Sequence, residues 1–131
     1  MIIYIDMDGV LADYDKAFAE VRRTQPDIDY PQSLPQFFEN LEPIVGAIDA
    51  FHQLSEKHEV YILTAPSTCT PLSYPEKRLW VENHLGFDVT ERLIICSNKG
   101  LLKGDILIDD NIEGEGRETL ERKVLHFSSV P

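Results

Sequence analysis

The chain is poor in positive charge, in cysteine and in long apolar runs, and each shortage excludes something. Its 131 residues hold 12 Lys+Arg against 23 Asp+Glu, a net charge of −11. So acidic a surface repels polyanions, which argues against nucleic-acid polymers and anionic membranes as partners. A small anionic substrate fits only where the site supplies its own local positive charge. Two cysteines, Cys69 and Cys96, are too few for a secreted disulfide framework. The apolar start, Met1 to Ile5, breaks at Asp6 and has no basic flank, so neither a signal peptide nor a membrane span is expected. The histidines, His52, His58, His84 and His126, lack metal-ligand spacing. There is no internal repeat and no low-complexity tract. These absences predict a cytoplasmic protein built as a single domain over residues 1–131. They leave the oligomeric state open.

What is present is alternation. Ile2 to Ile5 is a nearly continuous, β-branched apolar run, the pattern of a strand buried on both faces. Val60–Leu63, Leu93–Cys96 and Ile106–Ile108 look alike, and Val124–Phe127 is a weaker fifth. Between them lie helical stripes. Leu11, Tyr14, Phe18 and Val21 share one helix face. So do Ile44, Ile48, Phe51 and Leu54, with Pro43 suited to a first turn. A further helix from Pro75 carries Trp80, Val81 and Leu85 as core residues and stops at Gly86. A last helix is expected between the fourth and fifth strands. The pattern predicts an α/β fold: a three-layer, Rossmann-like sheet of about five mostly parallel strands with helices on both faces. Residues 24–42, with Pro26, Pro31, Pro35 and the pair Phe37-Phe38, break the rhythm and are expected to form a small cap insert.

The chemistry gathers where strands end. The first run leads into Asp6-Met7-Asp8-Gly9, the second into Thr64-Ala65-Pro66-Ser67, the third into Ser97-Asn98-Lys99, and the fourth into Asp109-Asp110-Asn111. Carboxyl ends of parallel strands line one crevice, the usual ligand site of such sheets. Each piece alone reads equally well as a turn, and Lys99 alone as a solvated lysine. Together they bring four carboxylates, a hydroxyl and a lysine to one place. Packed carboxylates either share protons or hold a cation. Hard oxygen ligands without nearby His or Cys favour Mg²⁺. Lys77 reads more naturally as part of a surface helix than as a phosphate ligand.

These segments resemble the four motifs of the haloacid dehalogenase-like phosphatases: Asp6 to Val10, Thr64, Lys99 and Asp109-Asp110, in that order. More finely, DMDGVLADY (6–14), FFENLEPIVG (37–46), PEKRLWVENHLG (75–86) and GDILIDDN (104–111) resemble the 5′(3′)-deoxyribonucleotidases, although the cap is shorter here. The resemblance implies a phosphomonoesterase that removes phosphate from nucleoside monophosphates through an aspartyl-phosphate. Asp6 is then the nucleophile, Asp8 the general acid and base, and Lys99 the charge stabilising the intermediate. Mg²⁺ would be held by Asp6, the Asp8 backbone carbonyl and Asp110, with Asp109 behind them. Thr64, Ala65 and Ser67 would bind the phosphoryl oxygens, and Tyr14, Phe37 and Phe38 the nucleoside. Two other readings share these motifs: a phosphatase of another small phosphorylated metabolite, and an idle metal-binding regulatory protein.

Overall fold

A computed structural model of the chain describes residues 1–111, Glu115 and the strand at 123–126. The apolar runs become five strands: β1 (Ile2–Ile5), β2 (Glu59–Thr64), β3 (Leu93–Ile95), β4 (Ile106–Asp109) and β5 (Lys123–His126). They form one parallel sheet in the order β3-β2-β1-β4-β5. β1 is central, with Ile3 opposite Val60 on one side and Ile106 on the other. Ile3, Ile5, Val60, Ile62, Leu63 and Leu107 are buried, as a sheet covered on both faces requires. The helix expected between β4 and β5, and Phe127 at the end of the last run, lie outside the described residues.

Three helices carry the remaining apolar stripes: α1 (Tyr14–Thr24), α2 (Ala47–Ser55) and α3 (Ser73–Leu85). Two begin later than their stripes suggest. Leu11 is buried in a tight turn, where the Met7 carbonyl accepts from the N–H groups of Leu11 and Ala12, and Asp13 caps α1 through the N–H of Lys16. Pro43 forms a bridge with Ala12, and the Ile44 N–H donates to the Leu11 carbonyl at 2.8 Å. These residues are committed to pairing, so α2 starts only after Gly46, at φ 82°. α3 ends at Gly86 as expected. No helix among the described residues is long and apolar enough to cross a membrane.

The sheet order places the crevice. From β1 the chain moves to β2 and β3 on one side, then returns to β4 on the other. Loops leaving β1 and β4 therefore diverge and open a cleft at their carboxyl ends. The segment between α1 and α2 borders that cleft, with a 3₁₀ turn at Pro31–Ser33. Its aromatics bind it to the core: Phe37 meets Tyr14 and Phe38 edge-on, with centroids 5.4 and 5.3 Å apart.

Candidate active site

β1 delivers the first pair of carboxylates. Past its end Asp6 and Asp8 reach one cavity while Met7 between them, fully buried, fills the core. Gly9 then turns at φ 90°, where a Cβ would overlap the Asp110 carboxylate. Glycine is required there by the approach of the β4 loop. The cavity is about 340 Å³, within the range of about 300–1,000 Å³ typical of ligand clefts. Of the residues expected in the site, Asp6, Asp8, Tyr14, Phe38, Thr64, Ala65, Ser67 and Asp110 line it. Phe37 does not; it is buried against Tyr14 and Phe38 as part of the core. Its ring packs edge-on against Tyr14, at the start of α1, and so turns inward.

Two lysines stand behind the carboxylates. Lys99 is fully buried and donates to Asp6 Oδ1 at 3.0 Å and to Asp109 Oδ2 at 2.9 Å. Lys77 is equally buried, contrary to its expected place on a surface face of the helix. Its Nζ donates to Asp8 Oδ2 at 2.8 Å, Thr64 Oγ1 at 2.6 Å and the Ala65 carbonyl at 2.9 Å. Those bonds use the three donors of an ammonium group. Lys77 also lies 5.1 Å from the centre of the Phe38 ring. Asp8 Oδ1 is buried and has no hydrogen-bond partner among the described residues.

The site remains acidic. Among the described residues, the four carboxyls of Asp6, Asp8, Asp109 and Asp110 gather around two lysines, Lys77 and Lys99, so acidic groups outnumber basic ones there. Burial pushes the Asp6 carboxyl well above the ordinary carboxylate range; Lys99 opposes the shift, while Asp109 and Asp8 add to it. Asp110 is also raised, by burial first and then by its hydrogen bond with Asp109. One oxygen from each of Asp6, Asp109 and Asp110 falls within 4.8 Å of the others, so these three could hold a cation. The Asp8 side chain stands outside that cluster, turned to Lys77. Asp109 has both oxygens engaged, one by Lys99 and one by the Asn111 N–H, which suits it to orienting its neighbours. An excess of negative charge with oxygen donors fits a hard divalent cation.

Further groups hold the walls. Ser73 Oγ accepts from the Ser67 N–H and donates to the Ser67 carbonyl, and the Ser67 hydroxyl is paired with Thr70. The Glu76 carboxylate accepts from the N–H groups of Gln36, Phe38 and Glu39 at 3.0, 3.0 and 3.4 Å. Trp80 is core, as expected, and its indole N–H donates to the Leu41 carbonyl. Consecutive residues of α3 thus grip different things: Glu76 the segment over the cleft, Lys77 the loops beneath it. The sequence signal for both was the helical stripe through Trp80, extended backwards by three and four residues into polar side chains.

The chain is similar to known proteins in sequence and in fold. The profile of a family described as 5′ nucleotidase, deoxy (Pyrimidine), cytosolic type C protein matches residues 28–125. A candidate 5′(3′)-deoxyribonucleotidase of Bordetella pertussis is 38% identical, over 84% of this chain and 74% of its own length. The human cytosolic-type 5′(3′)-deoxyribonucleotidase is 33% identical, over 88% of this chain and 73% of its own. In fold, the chain is similar to the crystal structure of a candidate haloacid dehalogenase-like hydrolase from Burkholderia xenovorans. The TM-score is 0.51 at 14% identity, over 94% of this chain and 78% of that one.

Proposed function

The chain belongs to the 5′(3′)-deoxyribonucleotidase family, and from that premise we propose that it is a Mg²⁺-dependent phosphomonoesterase acting on deoxyribonucleoside monophosphates in the cytoplasm. The observation that carries the reading is the shared cavity of Asp6 and Asp8, each carboxylate held by its own buried lysine.

The Asp6 carboxylate attacks phosphorus, forming an acyl-phosphate bond as the P–O bond to the nucleoside breaks. Asp8 gives its proton to the departing ester oxygen. Lys77 holds Oδ2 of Asp8, which leaves Oδ1 as the oxygen able to carry that proton. In the second half, Asp8 takes a proton from water as the water attacks phosphorus. The acyl-phosphate bond breaks, inorganic phosphate leaves and Asp6 is restored. Lys99, anchored by Asp109, fixes the Asp6 carboxylate and offsets charge on the phosphorylated form. Thr64, Ala65 and Ser67 line the wall on which the phosphoryl oxygens would rest. Lys77 adds positive charge there by way of Thr64 and Ala65.

Asp6, the Asp8 backbone carbonyl and Asp110 would hold Mg²⁺, with Asp109 behind. When bound, it supplies the positive charge that keeps Asp6 ionised and neutralises the phosphoryl oxygens. The test is kcat/KM for deoxynucleotides, ribonucleotides and sugar phosphates, measured side by side with Mg²⁺. Deoxyribonucleoside monophosphates are expected to lead. A sugar phosphate ahead by more than about tenfold, or 1.4 kcal/mol of transition-state preference, overturns the nucleotidase reading.

A further inference from the structure

Two consecutive residues of α3 hold different sides of the cleft, and one aromatic ring joins what they hold. The Glu76 carboxylate is buried and accepts from three backbone N–H groups: Gln36 on Oε2, Phe38 and Glu39 on Oε1. No cationic side chain pairs with it among the described residues. A charge is costly to bury, and an amide, with one acceptor oxygen, could serve only part of this turn. Backbone N–H groups turned onto one anion in this way form a nest. The turn passes through the left-handed region at Gln36, with φ 66°, a value that glutamine seldom adopts. A strained turn persists only where its surroundings hold it, and here the holder is the residue next to Lys77.

What the turn seats is Phe38. Its ring is buried, borders the cavity and lies 5.1 Å from the Lys77 ammonium. Lys77 has its three donors on Asp8, Thr64 and Ala65, and an apolar ring beside it keeps water from replacing any of these partners. We infer that Glu76 is a positioning residue for proton delivery by Asp8. Glu76 holds the turn, the turn holds Phe38 over Lys77, and Lys77 so covered fixes Oδ2 of Asp8, which presents Oδ1 to the leaving oxygen. The inference rests on the reading of Asp8 as the acid and adds to it what orients that acid. Glu76 itself does not line the cavity and meets no reacting atom.

The experiment compares kcat/KM for thymidine 5′-monophosphate with that for its analogue in which sulfur replaces the bridging 5′ oxygen. A thiolate leaves without taking a proton, so only the oxygen ester needs Asp8, and the nucleoside is the same in both. kcat/KM covers the steps up to release of the nucleoside and so reads the acid step. The full chain is assayed with Mg²⁺ as wild type, Asp8→Asn, Glu76→Ala, Glu76→Gln, Phe38→Leu and the double variant Glu76→Ala with Phe38→Leu. Asp8→Asn is expected to lower the oxygen-to-sulfur ratio by about 10²-fold or more. Glu76→Ala and Phe38→Leu should each lower it by about tenfold, Glu76→Gln should retain most of it, and the double variant should fall no further than the worse single one. An unchanged ratio in Glu76→Ala, or equal losses on both esters, overturns the inference alone, because a purely structural role weakens both reactions alike. Losses that multiply in the double variant also overturn it, since Glu76 and Phe38 then act independently. Phe38→Leu, which keeps an apolar side chain in the core, carries the test where Glu76→Ala does not fold, and an unchanged ratio there overturns the inference as well. Equal losses on both esters in Asp8→Asn overturn the assignment of the acid and this inference with it. A wild type that hydrolyses neither ester overturns the nucleotidase reading and, with it, this inference.

Discussion

Of the carboxylates lining the cavity, Asp6 and Asp8 are each matched by a lysine that solvent does not reach, and the two pairs differ in what they do. Lys99 sits between Asp6 and Asp109, both buried, so its charge is shared inside the protein. Asp6→Asn should abolish turnover and leave the far-ultraviolet circular dichroism unchanged, because an amide oxygen cannot form the acyl-phosphate. Turnover near the wild-type rate in that variant refutes the covalent route. Lys77 faces Asp8, whose side chain keeps a quarter of its surface exposed toward the cavity. Lys77→Met preserves the length of the stem and removes the charge. It should lower kcat by about 10²-fold or more, the scale of a displaced acid–base group or a lost electrostatic donor. A kcat within threefold of wild type would show that Asp8 is oriented without it. The carboxylates and Lys99 were legible in the sequence because each follows a buried strand. Lys77 was not, since lysine on a helix is ordinarily solvated and only its three partners reveal otherwise.

At the scale of elements, α3 explains what the hydrophobic pattern showed and what it hid. Its buried positions are Ser73, Glu76, Lys77, Trp80, Val81 and Leu85, a regular helical stripe. The second half of the stripe is apolar and was read as core. The first half is polar because it faces the site, so a search for apolar periodicity passes over it. The strands were legible throughout, since parallel strands buried on both faces leave unbroken apolar runs. The starts of α1 and α2 were not, because Leu11 and Ile44 are apolar at helical spacing yet serve a turn and a bridge. Glu76 is the strut of this arrangement. Glu76→Ala leaves the N–H of Phe38 buried without its acceptor and those of Gln36 and Glu39 half-buried. Charge-assisted bonds of this sort are worth about 1.5–3 kcal/mol each and are not additive, so the expected loss of unfolding free energy is about 2–4 kcal/mol. Urea denaturation measures it, and Glu76→Gln, which keeps one acceptor oxygen, should lose less. A change below about 0.5 kcal/mol for the alanine variant would mean that the segment is held by Phe37, Phe38 and Leu41 alone.

For the whole molecule, the topology that opens the cleft also concentrates its charge. The β1 and β4 loops diverge, and the end of β1 brings Asp6, and the end of β4 Asp109 and Asp110, to one point. In a chain of net charge −11 the surroundings offer that cluster little relief. The raised Asp6 and Asp110 carboxyls express the cost, and its sign sets a stability prediction. A carboxyl whose folded pKa lies above its unfolded value binds more protons in the folded state. Its contribution to stability is therefore full below the unfolded carboxylate range and is lost as the pH rises through the folded pKa. The metal-free protein should accordingly lose this contribution between acid and neutral pH. Mg²⁺, binding the folded state only, should restore it where the carboxylates are ionised. At a free concentration near 100 times Kd the gain is about 2.7 kcal/mol. For a domain of this size that corresponds to a rise in Tm of roughly 8 °C or more. The rise should be largest near pH 7.5, shrink toward pH 5 as protons compete for the same oxygens, and vanish in Asp110→Asn. Thermal melts with and without Mg²⁺ at the two pH values measure it. A shift that is equal at both, or that survives in Asp110→Asn, would place the cation somewhere other than between the β1 and β4 loops.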